Sequence, residues 1–263
     1  MADGGPEVVI AIPAYREVAT IGIVVDRCRA IAPRAILLVI DDGSDDCTAE
    51  IAEEHGADVI RNPANAGKGD ALLRGMRHAL ALGASRIVTM DGDGQHRPED
   101  LPLLLAASYY WPGHIVVGSR RASRNKAPRS RRMANRIADF WISWAARHPI
   151  EDTQSGYRVY PAQCLSHILG IRRLSPGFAF ESELLIEAGR LGYQTVSVPI
   201  PAIYGSVLER RSHFRPGADI RRIVFMVAGK LTRRRMDPAG LWRSLRRPYL
   251  RYECEQRKAV LNG

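Results

Sequence analysis

The chain has 263 residues, 46% hydrophobic and 25% charged, an ordinary globular composition with length for a sizeable core in one domain or one domain with an extension. No apolar run reaches the roughly 18 residues of a spanning helix, and Met1-Ala2-Asp3-Gly4-Gly5-Pro6 lacks the basic start and apolar core of a signal peptide. Cys28, Cys47, Cys164 and Cys254 are scattered without a C-x-x-C pair, which argues for free thiols in a reducing cytoplasm and against cysteine-bound metal. The net charge is +10, and residues 207–263 carry 15 Lys and Arg against 5 Asp and Glu, leaving 23 of each in residues 1–206. A neutral body with a basic end points to an anionic partner for that end, a membrane surface or a nucleic acid.

In chain order, Val8–Ile12 reads as a short apolar strand ending at Pro13-Ala14-Tyr15-Arg16-Glu17. Helical spacing follows from Ala19 to Ile31, then a strand at Ala35–Ile40 ending in Asp41-Asp42-Gly43-Ser44. Cys47–His55 reads as a helix capped by Asp45 or Asp46. Ala57–Ile60 is a third strand, and Asn65-Ala66-Gly67-Lys68-Gly69 leads into a helix through Leu82. Arg86–Met90 and Ile115–Gly118 are the fourth and fifth strands. Met133–Arg147 is helical and rich in aromatics, Phe180–Leu191 is a further helix, and Gln194–Pro199 is a late strand. Ala218–Leu231 has helical periodicity with Arg221, Arg222 and Lys230 beside an apolar stripe. Strands alternating with helices predict a doubly wound α/β sheet, mostly parallel.

Ionisable residues collect at the strand ends: Glu17 after the first, Asp41 and Asp42 after the second, Asp91 and Asp93 after the fourth, Arg120 after the fifth. One crevice outside the carboxyl ends of the strands explains this better than independent turns. Within it, Asp91-Gly92-Asp93-Gly94-Gln95-His96 places two carboxylates and a neutral amide where they suit Mg²⁺ or Mn²⁺ bound together with phosphates.

Taken together, Ile12-Pro13-Ala14-Tyr15-Arg16-Glu17, Asp41 to Asp46, Asn65 to Gly69, Asp91 to His96 and Gly118-Ser119-Arg120 resemble the motifs of family 2 glycosyltransferases with a GT-A nucleotide-sugar fold. Asp152-Thr153-Gln154-Ser155-Gly156-Tyr157-Arg158, Gly177 to Glu181 and Val198-Pro199-Ile200 are most similar to the dolichol-phosphate mannose synthase branch, which glycosylates polyprenyl phosphates. The resemblance runs from about residue 8 to 200. It implies a GT-A catalytic domain over 1–206; charge and helical periodicity predict a basic, helical, membrane-peripheral extension over 207–263.

The resemblance also implies roles. Pro13, Tyr15, Glu17, Asp42, Lys68, Asp70, Asp91 and Gly92 would bind the nucleotide, with Tyr15 stacking on the base and Glu17 accepting ribose hydroxyls. Asp91, Asp93 and Gln95 would hold a Mg²⁺ or Mn²⁺ that neutralises the leaving diphosphate. Asp93, Asp152 and Arg120 would be the catalytic groups. Arg120, Arg132, Asn135, Ser155, Arg158 and His213 would bind the acceptor. Arg120 opens a run of eight basic residues without an acid through Ala138, and planar guanidinium groups suit phosphate oxygens. Asp152 would orient the acceptor or act as base, with Glu181 and Glu183 as alternative carboxylates. The chain departs from the synthase pattern at Arg210 to Pro216, where His213 replaces a lysine and makes that charge pH-dependent.

The expected activity is transfer of one sugar from a nucleotide donor to a lipid acceptor, a polyprenyl phosphate, by an inverting, metal-dependent enzyme at the cytoplasmic face of a membrane. A hydroxylated lipid or pigment precursor is an alternative acceptor. A nucleotidyltransferase shares the sheet architecture, but no G-x-G-x-R-type loop follows the first strand. No zinc-finger or RNA-recognition signature accompanies the basic end, so no nucleic acid is expected. The sugar, the base and the oligomeric state stay open.

Overall fold

The computed structural model describes residues 5–121, 129–171, 174–175, 177, 179–201 and 216–252. The first strand, β1 (Val8–Ala14), is buried along its whole length, because helices cover both faces of the sheet it centres. Around it lie β2 (Ile36–Asp41), β3 (Asp58–Arg61) and β4 (Arg86–Thr89), all parallel. Beyond β4 come β5 (Ile115–Ser119), β6 (Arg158–Pro161), β7 (Thr195–Pro199) and β8 (Leu250–Arg251). The order is β3-β2-β1-β4-β6-β5-β7-β8. Among the described strands only β6 runs antiparallel, wedged between β4 and β5.

The helices are α1 (Ile21–Ile31), α2 (Thr48–Glu54), α3 (Lys68–Ala81), α4 (Leu101–Tyr110), α5 (Arg129–Ala146), α6 (Ala162–Ile171), α7 (Ala179–Arg190), α8 (Pro216–Arg233) and α9 (Pro238–Arg246). One core, with Val9, Leu38, Leu72, Met76, Ile142, Phe180 and Leu184, lies between the sheet and α3, α5, α6, α7 and α8. The other, with Ile10, Ile12, Val24, Val25, Leu101 and Leu104, lies under α1 and α4. The expected mostly parallel α/β sheet is present, and the strand-end residues fall where expected. Asp46 supports the start of α2, its Oδ1 accepting from Thr48 N at 3.1 Å.

Among the differences from the expectation, four have a plain physical reason. β6 begins with a charge and ends at Pro161, which hides its strand character. α4 is apolar over most of its circumference, so no amphipathic stripe marks it. α5 begins at Arg129 rather than Met133, its first turn drawn from the basic run. The described part of the basic end packs on the body: β8 extends the sheet beside β7, and Val227 and Leu231 of α8 enter the first core. Among the described residues, no helix is long and apolar enough to cross a membrane.

Candidate active site

The carboxyl ends of β1, β2 and β4 open on one side of the sheet. After β1 the chain turns at Arg16, whose φ is 56°. Arg16 Nε donates to Asp45 Oδ1 at 2.6 Å, and its backbone N donates to Ser44 Oγ at 2.9 Å. Tyr15 is left half-buried at the rim. Glu17 is buried, its backbone N donating to Thr48 Oγ1 at 2.8 Å. Thr20 Oγ1 lies 3.1 Å from Glu17 Oε2 and 2.8 Å from Gly92 O, so the first and fourth strand ends are tied together. Pro13 is buried.

Asp42 uses both oxygens to shape the loop before α3. Oδ1 accepts from Asn62 Nδ2 at 2.7 Å and Ala66 N at 3.0 Å, and Oδ2 accepts from Gly67 N at 2.7 Å. Asp70, in the first turn of α3, has its pKa raised by burial and by the Asp42 charge.

Lys68, the first residue of α3, points between two carboxylates. Its Nζ is 2.7 Å from Asp91 Oδ1 and 3.1 Å from Glu181 Oε2. Burial works against its charge, but the two carboxylates outweigh it and raise its pKa. Two glycines make this meeting possible. A Cβ at Gly69 would stand 2.4 Å from Gly177 O, so only glycine lets α3 approach α7; a Cβ at Gly156 would stand 3.0 Å from Glu181 Oε1 and 3.1 Å from Lys68 Nζ. Glu181 Oε1 is buried without a hydrogen-bond partner among the described residues.

Asp91 and Asp93 are perturbed in opposite directions. Burial of Asp91 is outweighed by Lys68, with His96 and Arg120 adding to it, so its pKa falls to about 2. Asp93 is pushed up to about 6 by burial and then by the Asp91 and Glu17 charges. Its Oδ1 accepts from Gln95 N at 2.9 Å, and the Gln95 side chain is exposed. His96 is buried and neutral: Asp91 N donates to its Nδ1 at 3.1 Å, its ring stacks on Tyr157 at 5.2 Å, and burial lowers its pKa to about 4. Among the described residues no three His, Cys, Asp or Glu form a ready metal cage. Asp91 and Asp93 still offer carboxylate oxygens of the kind a hard divalent cation takes, and the Asp91 and Glu17 charges that raise Asp93 leave it short of positive charge.

Across the cleft, Asp152 is buried and its Oδ2 accepts from Arg120 N at 2.9 Å. Arg120 Nη2 donates to Gln154 O at 3.1 Å. Asp152 therefore stands as the anchor of Arg120. Asp139 of α5, unread in the sequence, accepts from Thr153 N at 2.9 Å and Thr153 Oγ1 at 2.8 Å. Ser155 Oγ is buried without a hydrogen-bond partner among the described residues.

Arg158 requires a correction. It is 1% exposed, and its guanidinium donates to Ser155 O, Thr153 O, Glu181 O and Tyr160 Oη at 2.7–3.0 Å. It braces the 153–155 loop against α7 and does not face an acceptor. Glu183 is likewise no base: it is buried against Lys230 at 2.6 Å. Arg132 and Asn135 are half-buried on α5. His213 lies outside the described residues.

Comparison with known proteins agrees with this geometry. Residues 9–173 match the model of glycosyl transferase family 2. An undecaprenyl-phosphate mannosyltransferase of Micrococcus luteus is 34% identical over 209 residues, 73% of this chain and 82% of that protein. The polyprenol monophosphomannose synthase of Mycolicibacterium smegmatis is 32% identical over 241 residues, 88% of this chain and 89% of that one. The fold is shared with glucosyl-3-phosphoglycerate synthase of Mycobacterium tuberculosis. Its complex with uridine diphosphate superposes with a TM-score of 0.67 at 23% identity, covering 87% of this chain and 81% of that one. Its complex with Mn²⁺, uridine diphosphate and phosphoglyceric acid gives 0.65 at 24% identity, covering 86% and 78%. The chain belongs to glycosyl transferase family 2 and is a glycosyltransferase of GT-A fold, with relatives in the dolichol-phosphate mannose synthase branch.

Proposed function

We propose that this family 2 glycosyltransferase moves one sugar from a nucleotide-sugar donor to the phosphate of a polyprenyl phosphate, with inversion. The observation that carries the reading is Lys68 held between Asp91 and Glu181, with Asp93 raised by burial and by the Asp91 and Glu17 charges, opposite Arg120 on its Asp152 anchor. The similarity to polyprenyl-phosphate mannosyltransferases supports the acceptor class. Tyr15, Glu17, Asp42 and Asp70 form the base and ribose side, with Pro13 and Gly92 as its buried floor. Asp91, Asp93 and Gln95 would hold a Mg²⁺ or Mn²⁺, which when bound supplies positive charge against the departing diphosphate.

In the reaction an acceptor phosphate oxygen attacks the anomeric carbon. The new C–O bond forms as the bond from that carbon to the diphosphate oxygen breaks, and the nucleoside diphosphate leaves with the electron pair. An ionised phosphate is already a nucleophile and needs little base help. That accords with an Asp152 committed to Arg120. Arg120 and Arg132 bind the acceptor phosphate, with Asn135 and Ser155 as further acceptor residues. Lys68 holds Asp91 ionised and stands beside the diphosphate position. A lipid acceptor makes the enzyme peripheral to the cytoplasmic face of a membrane.

The test is a panel of GDP-mannose, UDP-glucose and other nucleotide sugars, offered with a polyprenyl phosphate or a hydroxyl-bearing lipid, with and without Mn²⁺. Metal-dependent transfer to the phosphate alone is the expected result. Transfer only to the hydroxyl would replace the acceptor assignment, and no transfer from any donor would overturn the reading.

A further inference from the structure

Exposed large apolar side chains are concentrated on α5, α8 and α9. On α5, Met133, Ile137, Phe140 and Trp141 follow one another at helical spacing and are 39–57% exposed, a stripe that no described element covers. Trp141 stacks on Trp144 at 5.3 Å, and Trp144 Nε1 donates to Asp237 O at 3.0 Å. The stripe thus continues to the α8–α9 junction. There Phe225 of α8 is 70% exposed and Trp242 and Leu245 of α9 are 58% and 62% exposed.

The exposed charged side chains described on these helices are all basic. Arg129, Arg136, Arg221, Arg233 and Arg246 are exposed, and the Arg246 guanidinium lies 5.4 Å from the Trp242 ring centre. The acids among the described side chains here, Asp139 and Asp237, are turned to Thr153 and to Arg147. α5 also joins this surface to the cleft, because Asp139, which holds Thr153, sits next to Phe140 in the chain.

We infer that the outer face of α5, continued by α8 and α9, docks on an anionic lipid bilayer. Aromatic and aliphatic side chains beside arginines match a medium that offers acyl chains beneath negative head groups. A second copy of the chain fits poorly, since facing copies would set arginines against arginines. The inference rests on the lipid-borne acceptor proposed above and names the surface that brings the enzyme to it. Docked this way, α5 carries Arg132 and Asn135 to the plane of the head groups.

The experiment is co-sedimentation of the full chain with vesicles of equal parts phosphatidylglycerol and phosphatidylcholine, with pure phosphatidylcholine vesicles, and with an oligonucleotide competitor. Binding to the anionic vesicles that weakens as salt rises is expected. Ile137→Ser/Phe140→Ser should lower that binding by about tenfold or more, and Trp242→Ser/Leu245→Ser should lower it as well, as loss of buried apolar area requires. Both should keep wild-type turnover on a short-chain polyprenyl phosphate dispersed in detergent. Undiminished vesicle binding by both variants, displacement by the oligonucleotide, or a dimer in solution that the same substitutions dissolve would overturn the inference. Vesicle binding of this pattern in a protein that transfers no sugar would support the surface while removing the proposed function.

Discussion

Two lysines in this molecule each sit between two carboxylates, and α7 supplies acids to both. Lys68 bridges Asp91 and Glu181 at 2.7 and 3.1 Å; Lys230 of α8 bridges Glu183 and Glu187 at 2.6 and 2.5 Å. The second cluster is closed. Arg190 adds a cation to Glu187 at 2.8 Å, and Ser175 N donates to Glu183. Its charges balance, and it fastens α8 to α7. The first cluster is open. Glu17 and Asp93 join Asp91 and Glu181, Asp93 is pushed up to about 6, and Glu181 Oε1 has no partner among the described residues. A closed ion cluster holds structure together; an open one at the strand ends has room for a cation and an anionic substrate.

The comparison breaks most sharply at the closed cluster. Lys230→Met leaves buried Glu183 without its lysine and Glu187 with Arg190 alone, and should cost about 3–5 kcal/mol of stability, read by chemical denaturation, while the folded variant keeps its donor KM. A loss of turnover with unchanged stability would reverse the roles of the two lysines. Asp93→Asn should do the opposite. It should reduce kcat by about 10²–10³-fold, the scale for one preorganised electrostatic group, with Tm near wild type. Full turnover by that variant would remove Asp93 from the chemistry.

A third effect concerns the rigid part of the molecule through pH. His148 is buried, with Nδ1 3.1 Å from Ala146 O and Nε2 3.2 Å from Thr195 Oγ1. Burial lowers its pKa to about 4. The unfolded chain therefore takes up the proton first, near pH 6.5, and stability falls as pH drops from there to about 4, by about 3 kcal/mol in all. His148→Gln should flatten that window in acid denaturation; an unchanged slope would show that other groups set it. The smallest effect belongs to the acceptor side. Arg132→Ala should raise the acceptor KM by about tenfold and leave the donor KM alone, with Arg132→Lys recovering only part because the bidentate geometry is lost. Equal changes in both KM values would place Arg132 elsewhere.

The same contrast explains what could be read in the sequence. Asp41, Asp42, Asp91 and Asp93 were legible because each follows an apolar run, and a strand end is where a doubly wound sheet exposes its ligands. The acceptor role of Arg158 comes only from the resemblance; nothing in the sequence marks β6, and once that strand enters between β4 and β5 the side chain is carried inward. Glu181 and Glu183 are two residues apart on one helix, and sequence alone could not tell which meets Lys68 and which meets Lys230. Asp139 looks like a solvated helix residue until Thr153 is folded against it. The aromatic content of α5 was visible, but its exposure depends on which helices pack beside it, a tertiary fact with no local signal.

The most direct measurement is a thermal-shift titration with Mn²⁺ and a nucleoside diphosphate on the wild type, Asp93→Asn and Lys230→Met. The wild type should gain stability with the two ligands together, as ligand binding to the folded state requires. Lys230→Met should gain the same increment from a lower starting Tm, and Asp93→Asn should gain little. A wild-type shift in Asp93→Asn, or its loss in Lys230→Met, would contradict the distinction between the open and the closed cluster.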